Sequence, residues 1–350
     1  MKRLLYIATL SIVLFSCKKQ EKFLPPDFNY KIPDVPVSQD VNIGAYYSNY
    51  SGTDWSKKYT GIPTLGEYSA LDASVMAQHR MWADKGGVNF FIFNWNGAAS
   101  GDPLLNSFTN GRSEQVQMVI NYNTAHLSAS NGSPLTAAKL EKMINEVKSL
   151  ATTHFDKEYY FKIDGKPVVL VTPLNLSSNA ANSIDYTTVV PAVKQALNDI
   201  GIEIYLVGEI SSGWLPPQRY ATAIKSMDAV VLNNWSTTTY DRASFFASFS
   251  DINWKNWKDS TTAWGTVDFV PCVFPGYNDK TMSPSSKVYD IERTVDFYKN
   301  YCNVAKLNMS DKRLVFINSW NHFQVGNTLE PTVEYGETYL EATRKNFKVP

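Results

Sequence analysis

Several things are scarce in this chain, and each scarcity removes a class of function. Cysteine occurs 3 times in 350 residues, at positions 17, 272 and 302. That is too few for a disulfide scaffold, and no Cys/His spacing suggests zinc. Net charge is absent, 33 basic residues balancing 33 acidic ones, so there is no positive field for nucleic acid. Apolar runs long enough to cross a bilayer are missing. The stretch Leu4 to Phe15 is too short to span one and remain there. No Gly-rich phosphate turn follows the first predicted strand, which disfavours an open dinucleotide-binding sheet. No two of the 4 histidines have ligand spacing, so neither a metal nor another cofactor is predicted.

What is present begins with a targeting pattern. Lys2 and Arg3 precede the apolar stretch, which ends in Leu14-Phe15-Ser16-Cys17. A small residue directly before a cysteine looks like a bacterial lipoprotein cleavage site, with Phe15 larger than is usual at its place. Residues 1–17 are therefore expected to be a lipoprotein signal peptide ending at a lipidated Cys17. Residues 18–40 carry a charged run and Pro25, Pro26, Pro33 and Pro36, a linker composition. Residues 41–350 suit one large domain. The expected location is the cell envelope, lipid-anchored to the outer membrane, with membrane contact through the lipid alone. Cys272 and Cys302 read as buried free thiols.

Eight short apolar runs recur, each followed by polar or aromatic residues and then a helical pattern. They are Asn42–Tyr47, Val88–Trp95, Val116–Tyr122, Pro167–Thr172, Glu203–Gly208, Ala229–Asn233, Phe269–Phe274 and Leu314–Asn318. Nearly continuous hydrophobicity is what strands buried on both faces require. Helices are predicted over 71–85, 103–112, 134–153, 185–200, 217–227, 241–258, 286–304 and 333–346. Asp164-Gly165 signals a hairpin just before the fourth strand. Alternation of this kind predicts an α/β fold, a single (β/α)₈ TIM barrel.

In such a barrel, chemistry belongs at the C-terminal ends of the strands. The residues there are aromatics and amides. Tyr46, Tyr47, Trp95, Tyr122, Trp235, Trp320, Asn321 and His322 are expected to bind substrate. Sugar faces stack on aromatic rings, and hydroxyl groups need amide or carboxylate partners. The pattern therefore points to a polysaccharide or oligosaccharide. Glycosidic cleavage usually needs two carboxyl groups about 5–9.5 Å apart. Glu209, directly after a buried strand, and Asp279, on the loop after the seventh, are the candidate catalytic pair.

Ordered motifs also carry a family resemblance. Ile43-Gly44-Ala45-Tyr46-Tyr47, Pro63–Tyr68, Gly86–Trp95, Ile163–Val168, Val273–Tyr277, Ser319-Trp320-Asn321, Leu329-Glu330-Pro331 and Tyr335-Gly336 resemble glycoside hydrolase family 99. They also resemble the related polysaccharide-biosynthesis glycosyltransferase-like proteins. The resemblance implies a (β/α)₈ barrel and endo-acting cleavage of α-mannosides with retention. It adds Glu330 to the substrate-binding set. The family's catalytic segment reads Asn-Glu-Trp-x-Glu-Gly, whereas this chain has Asn321-His322-Phe323-Gln324-Val325-Gly326. Both glutamates are replaced, and valine cannot transfer a proton.

Two functions are thus expected. One is a glycoside hydrolase-like lipoprotein with relocated acids, acting on a glycan such as an α-mannoside. The other is a non-catalytic glycan-binding lipoprotein, working beside other components of a glycan-uptake system.

Overall fold

The computed structural model describes residues 27–112, 115–129, 133–172, 184–210 and 213–350. The leader with Cys17, and the tether up to residue 26, lie outside the described residues. Ten strands are present among those described: β1 (Asn42–Tyr47), β2 (Phe90–Trp95), β3 (Gln117–Asn123), β4 (Lys162–Ile163), β5 (Lys166–Thr172), β6 (Tyr205–Ile210), β7 (Ala229–Leu232), β8 (Asp268–Val270), β9 (Cys272–Val273) and β10 (Leu314–Ile317). The helices are α1 (Ala73–Lys85), α2 (Ala98–Thr109), α3 (Ala137–Leu150), α4 (Tyr186–Asn198), α5 (Ala221–Ile224), α6 (Tyr240–Ser244), α7 (Phe246–Gly265), α8 (Val295–Asn308) and α9 (Thr338–Phe347).

The parallel strands run in the order β8-β7-β6-β5-β3-β2-β1-β10-β9. The two ends of that path are halves of one strand, divided at Pro271. Proline has no N–H to give to a ladder, so pairing breaks there while the chain continues. The Pro271 carbonyl still accepts from Phe316 N at 2.9 Å. With β8 and β9 counted as one, eight parallel strands close into the predicted barrel. The short β4 pairs antiparallel with β5. Asp164 (φ 50°) and Gly165 (φ 78°) form the turn between them, as the dipeptide predicted.

Every strand shows two faces. Outward residues such as Phe91, Phe93, Ile120, Val169 and Ile317 join the large core beneath the helices. Inward residues such as Phe90, Ile92, Val119, Leu170, Val207, Val231 and Phe316 fill the lumen as a separate cluster. The lower lumen is therefore solid. Gly44 is needed at this level, because a Cβ there would overlap the Phe90 ring.

Helix ends are set locally. Asp72, Thr136, Asp185 and Thr294 cap α1, α3, α4 and α8 through side-chain oxygens that accept backbone N–H groups. The helix expected at 103–112 starts earlier, at Ala98. Pro103 lies inside this helix and leaves one i→i−4 hydrogen bond unmade. The helix expected at 286–304 begins only at Val295, the residues before it forming a long loop.

Residues 27–40, read from composition as tether, lie against α7 and α8. Ser248 Oγ donates to Phe28 O, Tyr30 OH donates to Asp251, and Lys299 pairs with Asp34. Lys306 Nζ donates to Val35 O, and Arg313 donates to the carbonyls of Gln39 and Asp40. Ile32 is buried in the main core. Pro33 and Pro36 suit this path because an extended strap has no ladder to break. Cys272 and Cys302 are unpaired and buried, the first facing the lumen and the second on α8.

Because the lumen is filled at Gly44, Gly44→Ala forces Phe90 to move. A loss of about 1–3 kcal/mol is expected, seen as a lower thermal midpoint by circular dichroism. An unchanged midpoint would mean that Phe90 has room to give way.

Candidate functional site

Above the apolar filling, the inward positions turn polar. Following the two-residue period past Phe90-Ile92 gives Asn94. Following it past Val119 gives Asn121, and past Leu170 it gives Thr172. The same count gives Glu209 on β6, Asn233 after β7, Cys272 on β9, Asn318 after β10 and Tyr46 on β1. This ring sits at the C-terminal mouth of the barrel.

Glu209 is its centre, 7% exposed. Tyr46 OH donates to Glu209 Oε2 at 2.7 Å, from the strand diametrically opposite. Asn121 Nδ2 lies 3.4 Å from the same oxygen. Burial pushes the Glu209 carboxyl above the ordinary glutamate range, while hydrogen bonds from Tyr46, Asn233 and Thr172 oppose that shift. Burial, reinforced by the Glu209 charge, also raises the Tyr46 phenol and the Cys272 thiol, so both keep their protons.

A line of amides ends on this carboxyl. His322 N donates to Ser319 Oγ at 2.6 Å, and Ser319 Oγ donates to Asn327 Oδ1 at 3.3 Å. Asn327 Nδ2 donates to Asn318 Oδ1 at 3.1 Å, and Asn318 Nδ2 to Asn233 Oδ1 at 2.7 Å. Asn233 then hydrogen-bonds Glu209. Each group accepts on one side and donates on the other, so the bonds polarise one another toward the carboxylate. Thr172, Ser319 and Asn327 are members that residue type alone did not single out. The alternation of the strands was the signal that could have found Thr172.

The structure separates the residues predicted from sequence into three groups. Glu209, Tyr46, Trp235 and His322 lie at or beside the mouth. Tyr46, Trp235 and His322 are partly exposed there, together with Asn94 and Asn123. Burial lowers the His322 pKa, favouring neutral imidazole.

The second group faces the helices instead. Tyr47 OH meets His79 Nδ1 at 2.8 Å. Trp95 stacks on Tyr122 at 5.4 Å, donates to Asp102, and is buried. Tyr122 OH donates to Glu146. Trp320 is enclosed by Phe91 and His79. Tyr47, Trp95 and Tyr122 sit one residue out of phase with the lumen, Trp320 lies beyond the end of β10, and none of the four rings has surface left for a ligand. Asn321 and Glu330 are likewise enclosed. Asn321 accepts from Ser48 N and donates to Ser48 O and to Tyr68 OH. Glu330 accepts from Tyr68 OH at 2.7 Å and lies 3.2 Å from His79 Nε2. They brace the loops behind the mouth.

Asp279 forms the third group. Its carboxylate accepts from Ser286 Oγ at 2.5 Å and from Tyr277, with Lys280 Nζ at 3.5 Å. It shares no hydrogen-bond partner with Glu209 among the described residues. Tyr277, pushed up to about 12 chiefly by burial, accepts a hydrogen bond from Trp235, so Asp279 reaches the mouth only through two aromatic side chains.

Among the described residues no cluster of His, Cys, Asp or Glu is placed to hold a metal ion, and no helix is long and apolar enough to cross a membrane. The ring at the mouth is one carboxyl of raised pKa surrounded by neutral donors and acceptors. It is suited to hydroxyl groups.

Comparison with known proteins agrees with the barrel fold. Residues 135–343 match the family described as "Glycosyltransferase WbsX". A solved structure described as a glycoside hydrolase-like protein superposes with a TM-score of 0.81 at 25% identity, covering 92% of this chain and 98% of that one. The GH99 endo-alpha-mannosidase from Bacteroides thetaiotaomicron superposes at 0.64, with 17% identity over 89% of this chain and all of that one. The same enzyme in complex with bis-tris-propane gives 0.66 at 18% identity. No curated protein sequence matches the chain.

A raised carboxyl leaves a signature in stability. Its folded pKa exceeds its unfolded one, so its contribution is complete below the unfolded value and is lost as pH rises through the folded value. Denaturation midpoints should fall over that window, upward from about pH 4.3. In Glu209→Gln this component should vanish. Identical pH profiles for the two proteins would refute the raised pKa.

Proposed function

The chain belongs to the WbsX glycosyltransferase family, and from that premise we propose that it recognises a glycan at the barrel mouth, with Glu209 as the polar centre of the site. The observation that carries this reading is the change from an apolar to a polar lumen at one level, with Tyr46, Asn94, Asn121, Glu209 and Asn233 at the end where barrels place their ligands. Trp235 and His322 flank that ring, the first offering a partly exposed face for a sugar. An α-mannoside is the glycan we favour, because GH99 endo-alpha-mannosidases share the fold.

Glycosidic cleavage is the second reading, and one observation favours it. A glutamate whose pKa is raised by burial suits the general acid that protonates a leaving oxygen. The second carboxylate would be Asp279, brought forward from its loop. The family name points to glycosyl transfer, which also builds charge at the anomeric carbon. It fits less well with the export expected from the leader.

The test uses the full chain in detergent with α-mannan and other neutral polysaccharides, following retention in affinity gels and product release by chromatography. Trp235→Ala should weaken binding several-fold, about 1 kcal/mol. Glu209→Gln should weaken it or abolish products. If no polysaccharide is retained, or both variants bind as the parent does, the reading fails. Products that disappear in Glu209→Gln and in Asp279→Asn would establish the second reading.

We further propose that Cys17 carries lipid and holds the domain at the outer membrane, delivering glycan to an uptake system. Support comes from Lys2 and Arg3, the apolar stretch and Ser16-Cys17. Mass spectrometry of the mature chain should find a lipidated N-terminal cysteine, and Cys17→Ala should release the protein from membranes. An unmodified Cys17 in the membrane fraction would overturn this.

A further inference from the structure

One cavity lies beside the mouth rather than in it. Its volume is about 290 Å³, close to the lower limit of roughly 300 Å³ for small-molecule pockets. Three loops wall it, those following β1, β10 and β9, which are neighbours in the barrel. Tyr277 and Arg293 come from one loop, Thr60 from another, and Thr328 and Tyr335 from the third.

Arg293 is the cavity's donor. Its guanidinium lies 4.1 Å from the Tyr339 ring centre and 5.0 Å from that of Tyr335, and Nη1 donates to Gly326 O at 3.0 Å. Guanidinium has five N–H groups in a fixed fork, so this single bond leaves donors to spare. Acceptors are equally present. Asp290, Glu292 and Glu334 line the same space. Glu334 is already engaged by Ile62 N, at 3.0 and 3.1 Å, and Asp290 pairs with Lys280 at 3.4 Å.

The charge count decides the ligand class. Three carboxylates surround one guanidinium and one ammonium, so an anionic ligand would meet net repulsion. A neutral hydroxyl needs a donor and an acceptor together, and Arg293 and Glu292 supply them. Tyr335 adds an aromatic face, 42% exposed.

The cavity is also tied to the mouth. Trp235 hydrogen-bonds Tyr277, the two ring centres being 6.5 Å apart. Asn278 N donates to Val325 O at 2.8 Å, which ties the cavity wall to the loop that begins at His322. We infer that this cavity holds one neutral sugar residue of the same glycan whose neighbouring residues lie over Glu209, the chain passing across Trp235. The inference rests on the glycan reading of the mouth and extends it to a second subsite.

The experiment is calorimetry of the full chain with a ladder of neutral oligosaccharides released from α-mannan, with oligogalacturonates as the acidic comparison. Affinity should rise by about tenfold, or 1.4 kcal/mol, at the ladder step that places a residue in the cavity. Glu292→Gln and Tyr335→Ala, both at exposed positions, should remove most of that gain and leave the shortest binding oligosaccharide unaffected. If short ladder members bind but no step is sensitive to either variant, the second subsite is overturned and the mouth reading stands. Tighter binding of oligogalacturonates, lost in the same variants, would overturn the neutral assignment. If no ladder member binds the parent chain, the mouth reading and the subsite fall together.

Discussion

The mouth of this barrel depends on one bond across its lumen, from Tyr46 OH on β1 to Glu209 on β6. A carboxyl buried among apolar side chains is costly to ionise and costly to leave unpartnered. The molecule meets both costs by surrounding Glu209 with neutral polar groups and, among the described residues, no cation. Tyr46, Asn121, Thr172 and Asn233 share the duty, and the asparagines behind them carry it outward to Asn327 and the His322 backbone. Removing a link leaves a buried amide half-satisfied, so the ring is held as a unit. This also explains why the loop from Ser319 to Asn327 is folded back on β10 rather than left in solvent.

A second polar system stands behind the first and is separate from it. His79, Tyr47, Tyr68, Asn321 and Glu330 lie between the sheet and α1. It joins the end of β1, the loop that follows, and the end of β10. Asn321 is the first residue of the segment that resembles the family 99 catalytic motif, and its amide is fully used in fixing Ser48 and Tyr68. Its place in the sequence pattern is therefore accounted for by loop geometry.

The fold was legible because each parallel strand is buried on both faces and announces itself as an apolar run. β1 agrees residue for residue, and the other strands are shifted at their ends by a few positions. The site was only half legible. Residue type located the strand ends but not the face, and a single step in the two-residue period decides between lumen and helix layer. Tyr46 and Tyr47 are adjacent, yet one reaches Glu209 and the other His79. Trp95 and Tyr122 fall on the outer phase and Asn94 and Asn121 on the inner. The aromatic excess, read as a sugar platform, is largely consumed in packing. Trp55 and Trp254, for example, stack on Tyr50 and Tyr301. Asp279 was placed by loop position alone, and nothing in the sequence foretold that Ser286 would hold it.

The strap of residues 27–40 has a direction. It meets the start of α7 at Phe28 and Tyr30, runs along α8 past Lys299 and Lys306, and reaches Arg313 just before β10. Helices in a barrel return from the mouth to the base, so the strap also descends from mouth to base before entering β1. Residue 27, the first described, therefore lies toward the open end. Nine residues separate Cys17 from the strap, a reach of at most about 32 Å when fully extended. Under the lipidation proposed above, that reach bounds how far residue 27 can stand from the bilayer.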